Sequence, residues 1–92
     1  MGFVHVAARD KKHKVKLYAL STCGWCRKTK ELLVEEGVDH EFVDIDLCAV
    51  EEREALTAKA RELNPRGNYP VIQVDDTVIV GFDPDKIREA LK

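Results

Sequence analysis

Two cysteines three residues apart give this 92-residue chain its most reactive stretch, Cys23-Gly24-Trp25-Cys26. An apolar run precedes the pair and a helical pattern follows it. Positions i and i+3 lie on the same face of a helix, so the two sulfurs can close a small disulfide ring and reopen it. Thiol–disulfide exchange requires this geometry, and a C-x-x-C pair next to a strand–helix–strand pattern is typical of that chemistry.

The two thiols are predicted to have unequal roles. Cys23 precedes the first helical turn, where unpaired N–H groups and the positive end of the helix dipole favour a thiolate. Its pKa is therefore expected to fall below the ~8.5 of a free cysteine, and Arg27, Lys28 and Lys30 add positive charge. Cys26 lies one turn deeper and is expected to keep its proton. Cys23 is thus the predicted nucleophile and Cys26 the predicted resolving thiol.

Trp25 lies between the thiols at the start of the helix. A buried core tryptophan is one interpretation. A ring near the surface, forming an apolar docking face beside the reactive sulfur, is the favoured one, because aromatic side chains commonly anchor interfaces. Gly24 leaves the neighbourhood of Cys23 free of a side chain, so a target can approach closely.

Other chemistry for the cysteines is less well supported. A C-x-x-C pair can be half of a zinc site, but zinc takes four ligands and the sequence contains no second pair. His5, His13 and His40 lack ligand spacing, so no metal site is predicted. The third cysteine, Cys48, is interpreted as a small buried apolar residue, with a regulatory thiol as the alternative.

Composition and charge restrict the partners. The chain is 45% hydrophobic and 35% charged with a net charge of −2, as expected for one globular domain without a polyanionic partner. The basic residues of segment 1–14 are interpreted as a solvated turn, so neither nucleic acid nor membrane is an expected partner. No run approaches a membrane span, no signal peptide is recognised, and an odd cysteine count is unlike a secreted disulfide scaffold. A cytoplasmic location is therefore expected.

The first half of the chain alternates strands and helices. Residues 3–7 and 15–20 are predicted to form a hairpin whose first strand is a sheet edge, with a disordered extension as the alternative. A helix is predicted from after Cys23 to about Glu36, and Gly37 ends it. A strand follows over residues 42–47, where Asp44 and Asp46 are interpreted as polar end positions without an acid–base role.

The second half completes the pattern. A helix is predicted near residues 50–63 and ends before Asn64-Pro65. Residues 71–74 and 77–80 are predicted to form a hairpin joined by two aspartates. Asp83 is the predicted N-cap of a last helix with Pro84 at its first position. After the optional first strand, the order is βαβαββα.

This order and four segments resemble the glutaredoxin branch of the thioredoxin-fold superfamily; the segments are residues 18–26, 42–46, 68–71 and 81–83. The resemblance covers residues 15–92, the expected domain, with residues 1–14 as an N-terminal extension. It implies an α/β, thioredoxin-like fold: a mixed four-stranded sheet with helices on both faces and an optional N-terminal edge strand. It also implies a dithiol oxidoreductase that reduces protein disulfides through a mixed-disulfide intermediate.

The same resemblance implies a second part of the site. The matching proline, here Pro70, follows a cis peptide bond and packs opposite the dithiol in that family. The backbone of Tyr69 would then turn outward and pair with an extended substrate strand. Gly81 and Phe82, after the next strand, would form the far wall.

Departures from the family pattern concern glutathione. Many glutaredoxins have a lysine at the position of Leu20, Thr-Val where this chain has Asn68-Tyr69, and a second glycine at the position of Phe82. An incomplete glutathione cradle is therefore expected, and no cofactor beyond the Cys23–Cys26 disulfide is required.

Residues 81–85, Gly-Phe-Asp-Pro-Asp, look more like the small redoxins that serve ribonucleotide reductase. The expected partners are then a disulfide-containing protein, ribonucleotide reductase among the candidates, and a thioredoxin-type reductase or glutathione as electron source. A monomer is expected.

A second function class remains open. Some glutaredoxin relatives with a glycine after the first cysteine bridge a 2Fe–2S cluster across a dimer with two glutathiones. Such clusters need four thiolates, which one exposed cysteine per subunit and two glutathiones would supply. Leu20 in place of lysine argues against this iron–sulfur carrier.

Overall fold

A mixed five-stranded sheet forms the centre of the computed structural model, which describes residues 2–92. The strands are β1 (Val4–Val6), β2 (Val15–Ala19), β3 (His40–Asp44), β4 (Val71–Val74) and β5 (Thr77–Val80). The helices are α1 (Gly24–Glu35), α2 (Val50–Leu63) and α3 (Pro84–Ala90), and a 3₁₀ turn at Ile45–Leu47 joins β3 to α2. The strand order is β1-β3-β2-β4-β5, with β2 and β3 parallel and the other pairs antiparallel. The predicted α/β fold with an additional N-terminal edge strand is confirmed.

The helix ends follow local sequence signals. Cys23 is the N-cap of α1, and Gly37, with φ +67°, follows the end of that helix in a conformation that favours glycine. The Asp83 carboxylate accepts the Lys86 N–H at 3.2 Å, and Pro84 occupies the first position of α3. The predicted bounds of α1 and α2 and the predicted start of α3 are therefore confirmed to within a residue.

The predicted hairpin between residues 3–7 and 15–20 is wrong, although the edge strand itself is present. β1 pairs antiparallel with β3, with Val4 opposite Phe42 and Val6 opposite His40. The reason is that β3 and β4 occupy both sides of β2. β1 can therefore join the sheet only at an outer edge, and it does so at β3.

The predicted strand over residues 42–47 is also wrong in its limits. β3 begins at His40 and ends at Asp44, and a 3₁₀ turn replaces its last three predicted residues. The ladder stops because Asp44 lies opposite Ala19, the last residue of β2. Beyond that point the partner strand has turned toward Cys23, and β3 has no neighbour left to bond on that side.

Alternate strand residues build two cores, one on each face of the sheet. Leu17 and Ile72 pack with α1 and α3, where Leu33 and Ile87 are fully buried. The neighbouring strand residues Tyr18, Val43 and Val71 pack with Ala60 of α2 on the other face. Helices thus cover both faces, as predicted. No helix within residues 2–92 is long and apolar enough to cross a membrane.

Two aspartates fasten the N-terminal segment to the end of the sheet where β2 begins. Asp39 accepts the Ala8 N–H at 3.1 Å and lies 2.7 Å from the His5 ring nitrogen Nε2. Asp75 accepts the Lys14 N–H at 2.9 Å and lies 2.6 Å from His13 Nδ1. Cys23 follows the other end of β2, so these contacts lie away from the dithiol.

Ile72→Ala tests the first core. Ile72 is 0% exposed in a strand with neighbours on both sides, so the cavity left by alanine is expected to cost about 2–5 kcal/mol of unfolding free energy. Val78→Ala is the control, because Val78 is 36% exposed on the edge strand β5, and its loss is expected to be about 1 kcal/mol or less. Urea unfolding followed by circular dichroism measures both, and equal losses would contradict this placement of the core.

Candidate functional site

Cys23 lies at the N-terminus of α1, in an extended conformation just outside the helix. Its Sγ accepts the N–H of Cys26 at 3.2 Å, taking the place that a side-chain oxygen has in an ordinary N-cap. Its own N–H donates to the Leu20 carbonyl oxygen at 3.1 Å and closes a tight turn. Cys23 as a residue is half-buried and so is partly open to solvent.

Cys26 has a different environment one turn further along. It is 0% exposed and belongs to the core between the sheet, α1 and α3. Burial raises the pKa of the Cys26 thiol to about 12, and a hydrogen bond to the Cys23 sulfur acts in the same direction. The Leu20 N–H and the charge of Lys30 act against this rise.

The basic residues after the pair are placed differently from one another. Arg27 and Lys28 are exposed on α1. The Lys30 ammonium is 2.8 Å from the Asp44 carboxylate and 4.4 Å from the centre of the Phe42 ring. Lys30 is thus held by β3 and supplies its charge from a fixed position, whereas Arg27 and Lys28 lie at the surface.

Trp25 is 58% exposed and is not part of the core. Its ring stacks on Phe82 with 5.7 Å between ring centres and 20° between planes. The Lys28 ammonium lies 5.8 Å from the centre of the indole. Residues distant in sequence therefore form one aromatic surface beside Cys23. Gly24 faces open space, since a Cβ built there meets no atom within 4 Å.

The second predicted part of the site lies at the same edge of the sheet. The Tyr69–Pro70 peptide bond is cis, and Pro70 is fully buried. The Pro70 carbonyl oxygen accepts the Gly81 N–H at 2.8 Å, and Gly81 has φ +83°, which favours glycine. Tyr69 packs against both cores, and it shares the first core with the half-buried Cys23 and Phe82.

The predicted site residues thus come together where β2 and β5 end and β4 begins. Those residues are Cys23, Trp25, Cys26, Tyr69, Pro70, Gly81 and Phe82. Their roles in substrate binding remain predictions.

Asp46 lies in this region and makes a contact with Ser21 that the sequence motifs do not reveal. It accepts the Ser21 N–H at 2.8 Å and also accepts the Ser21 hydroxyl. These two hydrogen bonds, the hydroxyl's first, hold the pKa of Asp46 below its ordinary value. The parallel arrangement of β2 and β3 is the available signal, because parallel strands end at the same edge of a sheet.

Cys48 is half-buried and packs against the α2-side core. Its Sγ–H donates to the Asp44 carbonyl oxygen at 3.6 Å. Cys48 therefore packs as a small apolar residue, but it is not fully buried as predicted.

Selective labelling tests the difference between the two thiols. In a Cys48→Ser background, iodoacetamide is expected to modify Cys23 and to spare Cys26 between about pH 6 and about pH 9. A thiol with a pKa of about 12 stays protonated throughout that range, and its sulfur is also shielded. Peptide mass spectrometry after timed labelling gives the result, and unfolded protein, in which both thiols react, is the control. Rapid modification of Cys26 in the folded protein would contradict this assignment.

Comparison with known proteins agrees with this geometry. A family model described as Glutaredoxin matches residues 15–79. A glutaredoxin-like 8.6 kDa protein in the rubredoxin operon of Clostridium pasteurianum is 37% identical over 85% of this chain and 97% of its own length. The crystal structure of a glutaredoxin from Methanosarcina mazei superposes with a TM-score of 0.89 and 39% identity, over 99% of this chain and 88% of that one.

A third similar structure is that of NrdH-redoxin from Escherichia coli, a glutaredoxin-like protein whose structure is described as the basis for a thioredoxin-like activity profile. It superposes with a TM-score of 0.63 and 29% identity, over 83% of this chain and 92% of its own. The family model, the Clostridium relative and the shared fold lead to one conclusion: the chain belongs to the glutaredoxin family of the thioredoxin-fold superfamily.

Proposed function

We propose that the chain reduces protein disulfides as a dithiol oxidoreductase, with Cys23 as the nucleophile and Cys26 as the resolving thiol. Membership of the glutaredoxin family indicates a redox role in general. The observation that carries the specific proposal is the contrast within one helical turn. Cys23 is reachable and receives an N–H hydrogen bond on its sulfur, whereas Cys26 is buried and protonated.

The first step is attack by the Cys23 thiolate on one sulfur of the target disulfide. A bond forms between Cys23 Sγ and that sulfur, and the target S–S bond breaks. The electron pair leaves on the second target sulfur, which takes up a proton. The Cys26 N–H stabilises the attacking thiolate before the step, in the position where the structure has it.

The second step is attack by Cys26 on Cys23 Sγ. It releases the first target sulfur as a thiol and leaves the Cys23–Cys26 disulfide, so two electrons have passed to the target. The Cys23 sulfur, which raises the pKa of Cys26 as a hydrogen-bond partner and as a charge, is neutral and bonded in the mixed disulfide. The Leu20 N–H and the Lys30 charge remain, and both favour the Cys26 thiolate. Burial, the largest cause of the raised Cys26 pKa, persists in the mixed disulfide, whereas the contributions of the Cys23 sulfur do not. The first step therefore favours resolution.

The proposed partners follow from the surface around the dithiol. The aromatic surface of Trp25 and Phe82 would dock a disulfide-containing protein, with ribonucleotide reductase among the candidates. Leu20, the position where many relatives have a lysine, is half-buried in the α2-side core and offers no charge to a glutathione carboxylate. This supports a thioredoxin-type reductase as electron source, as does the similarity to a glutaredoxin-like protein with a thioredoxin-like activity profile. The cycle needs one chain and a reducing compartment, which we take to be the cytoplasm.

The electron source can be identified directly. The oxidised protein is offered glutathione or a flavin-dependent thioredoxin-type reductase with its nicotinamide cofactor, and thiol recovery is followed over time. Rapid reduction by the reductase and slow reduction by glutathione are expected. The opposite order would overturn the choice of reductant without touching the exchange chemistry.

Serine substitutions separate the two thiols. Cys23→Ser is expected to abolish insulin-disulfide reduction, because the attacking sulfur is lost. Cys26→Ser is expected to keep the first step and to accumulate a mixed disulfide, visible on non-reducing gels and removed by dithiothreitol. Cys48→Ser serves as the control and is expected to retain activity. If Cys26→Ser reduced insulin at the wild-type rate, the resolving role would be wrong.

Trp25→Ala tests the docking surface. The KM for insulin is expected to rise about three- to tenfold, in line with the loss of roughly 1 kcal/mol of aromatic contact. The rate with hydroxyethyl disulfide is expected to change little, because so small a substrate does not need the surface. Val34→Ala, which truncates another exposed apolar residue of α1, is the matched control. Equal losses with both substrates would argue against docking by Trp25.

A further inference from the structure

We propose that Asp46 is a positioning residue for thiol–disulfide exchange: it holds the turn over residues 20–23, which places the Cys23 sulfur at the start of α1. This inference rests on the proposed function. Asp46 touches neither reacting sulfur and transfers no proton. It acts through Ser21, whose N–H and hydroxyl both donate to its carboxylate.

The turn needs an anchor because the sheet ends before it. The β2–β3 ladder stops at the Ala19–Asp44 pair. From there the chain bends through residues 20–23 and is closed on itself by the Cys23 N–H to the Leu20 carbonyl. That internal bond shapes the turn but does not tie it to the 3₁₀ turn that follows β3. The two bonds from Ser21 to Asp46 supply that tie.

The backbone that carries Asp46 is held in place by its neighbours. The residue before it, Ile45, is buried in the α2-side core at 2% exposure. The 3₁₀ turn that carries Asp46 is closed by the Cys48 N–H donating to the Ile45 carbonyl at 3.1 Å. The Asp46 side chain is exposed, but its backbone is held by these contacts, so its two hydrogen bonds join Ser21 to a fixed part of the chain.

The tethered turn serves both sulfurs. Cys23 ends it, and the Sγ position that receives the Cys26 N–H at 3.2 Å depends on where the turn delivers the backbone of Cys23. Leu20 begins it, and its N–H favours the Cys26 thiolate that the second step needs. A displacement of the turn therefore affects attack and resolution together. Small misplacements of reacting groups are sufficient to slow a reaction strongly.

Asp46→Ala and Asp46→Asn make the test. Asp46→Ala removes both acceptors and is expected to lower the Cys23 alkylation rate and the kcat for insulin reduction about tenfold, a size typical of lost positioning. The KM for insulin is expected to stay unchanged, because Trp25 and Phe82 are intact. Asparagine can accept the Ser21 N–H with its oxygen and donate to the hydroxyl with its nitrogen. Asp46→Asn is therefore expected to recover most of both rates.

Asp75→Ala is the matched control. Asp75 also accepts one backbone N–H, from Lys14, and bonds one side chain, His13, but at the opposite end of the sheet. Its removal is expected to leave Cys23 alkylation and kcat at wild-type values. A loss of rate through general loosening of the fold would show in both variants.

The outcomes are separable. Wild-type protein that reduces no protein disulfide would overturn the proposed function itself. If the wild type is active and Asp46→Ala has the same rates, only the role of Asp46 is overturned. Equal impairment of Asp46→Ala and Asp46→Asn would also overturn it, because the loss would then come from the missing negative charge and not from the position of the turn. If Asp46→Ala does not fold, Ser21→Ala decides: it removes one of the two bonds, and a two- to fivefold loss of kcat (about 0.4–1 kcal/mol) is expected, whereas no loss contradicts the proposal.

Discussion

The hydrogen bond from the Cys26 N–H to the Cys23 sulfur is the contact on which the site depends. It makes a cysteine the N-cap of α1, so the helix begins where the chemistry is needed. Cys26, three residues after this N-cap, then lies on the core-facing side of the helix and is buried. One turn of helix thus separates a reachable sulfur from a shielded one. A start one residue later would leave Cys23 outside the reach of the first N–H groups.

Sheet topology supplies the rest of the site. The β2–α1–β3 unit makes β2 and β3 parallel, so the ends of both strands lie at one edge. The β4–β5 hairpin is antiparallel to β2, and it brings the start of β4 and the end of β5 to that edge. Cys23, Asp46, Pro70 and Phe82 follow or precede these strand ends. No single segment could gather them, but a sheet with this strand order does.

Local chemistry explains what the sequence predicted correctly. Some features depend only on interactions within a few residues, so the local sequence is enough to predict them. They are the C-x-x-C pair, the glycine after α1 and the Asp83 cap. The partner of β1 was not so encoded: a short polar connection favours a hairpin with β2, and only the occupation of both sides of β2 excludes it. The Trp25–Phe82 stack and the Asp46–Ser21 pair could not be predicted from the sequence for the same reason. Each joins residues that only the folded sheet brings together.

The chain uses one device at both ends of the sheet, with different chemistry. At each end a carboxylate accepts a hydrogen bond from a backbone N–H and contacts a side chain of the same segment. These contacts attach that segment to the rest of the fold. The Asp75 bond raises the pKa of His13, so the stabilisation from that charged pair is complete below the ordinary pKa of histidine and is lost as pH rises through the raised value. Ser21 does not titrate near neutrality, and the pKa of Asp46 is lowered, so its bonds weaken only as pH falls through that lowered value. Thiolate chemistry is favoured toward alkaline pH. The Asp46–Ser21 contact beside the dithiol therefore persists at the alkaline pH where the reaction is fastest. The Asp75–His13 contact of the N-terminal segment is the one that weakens as the pH rises.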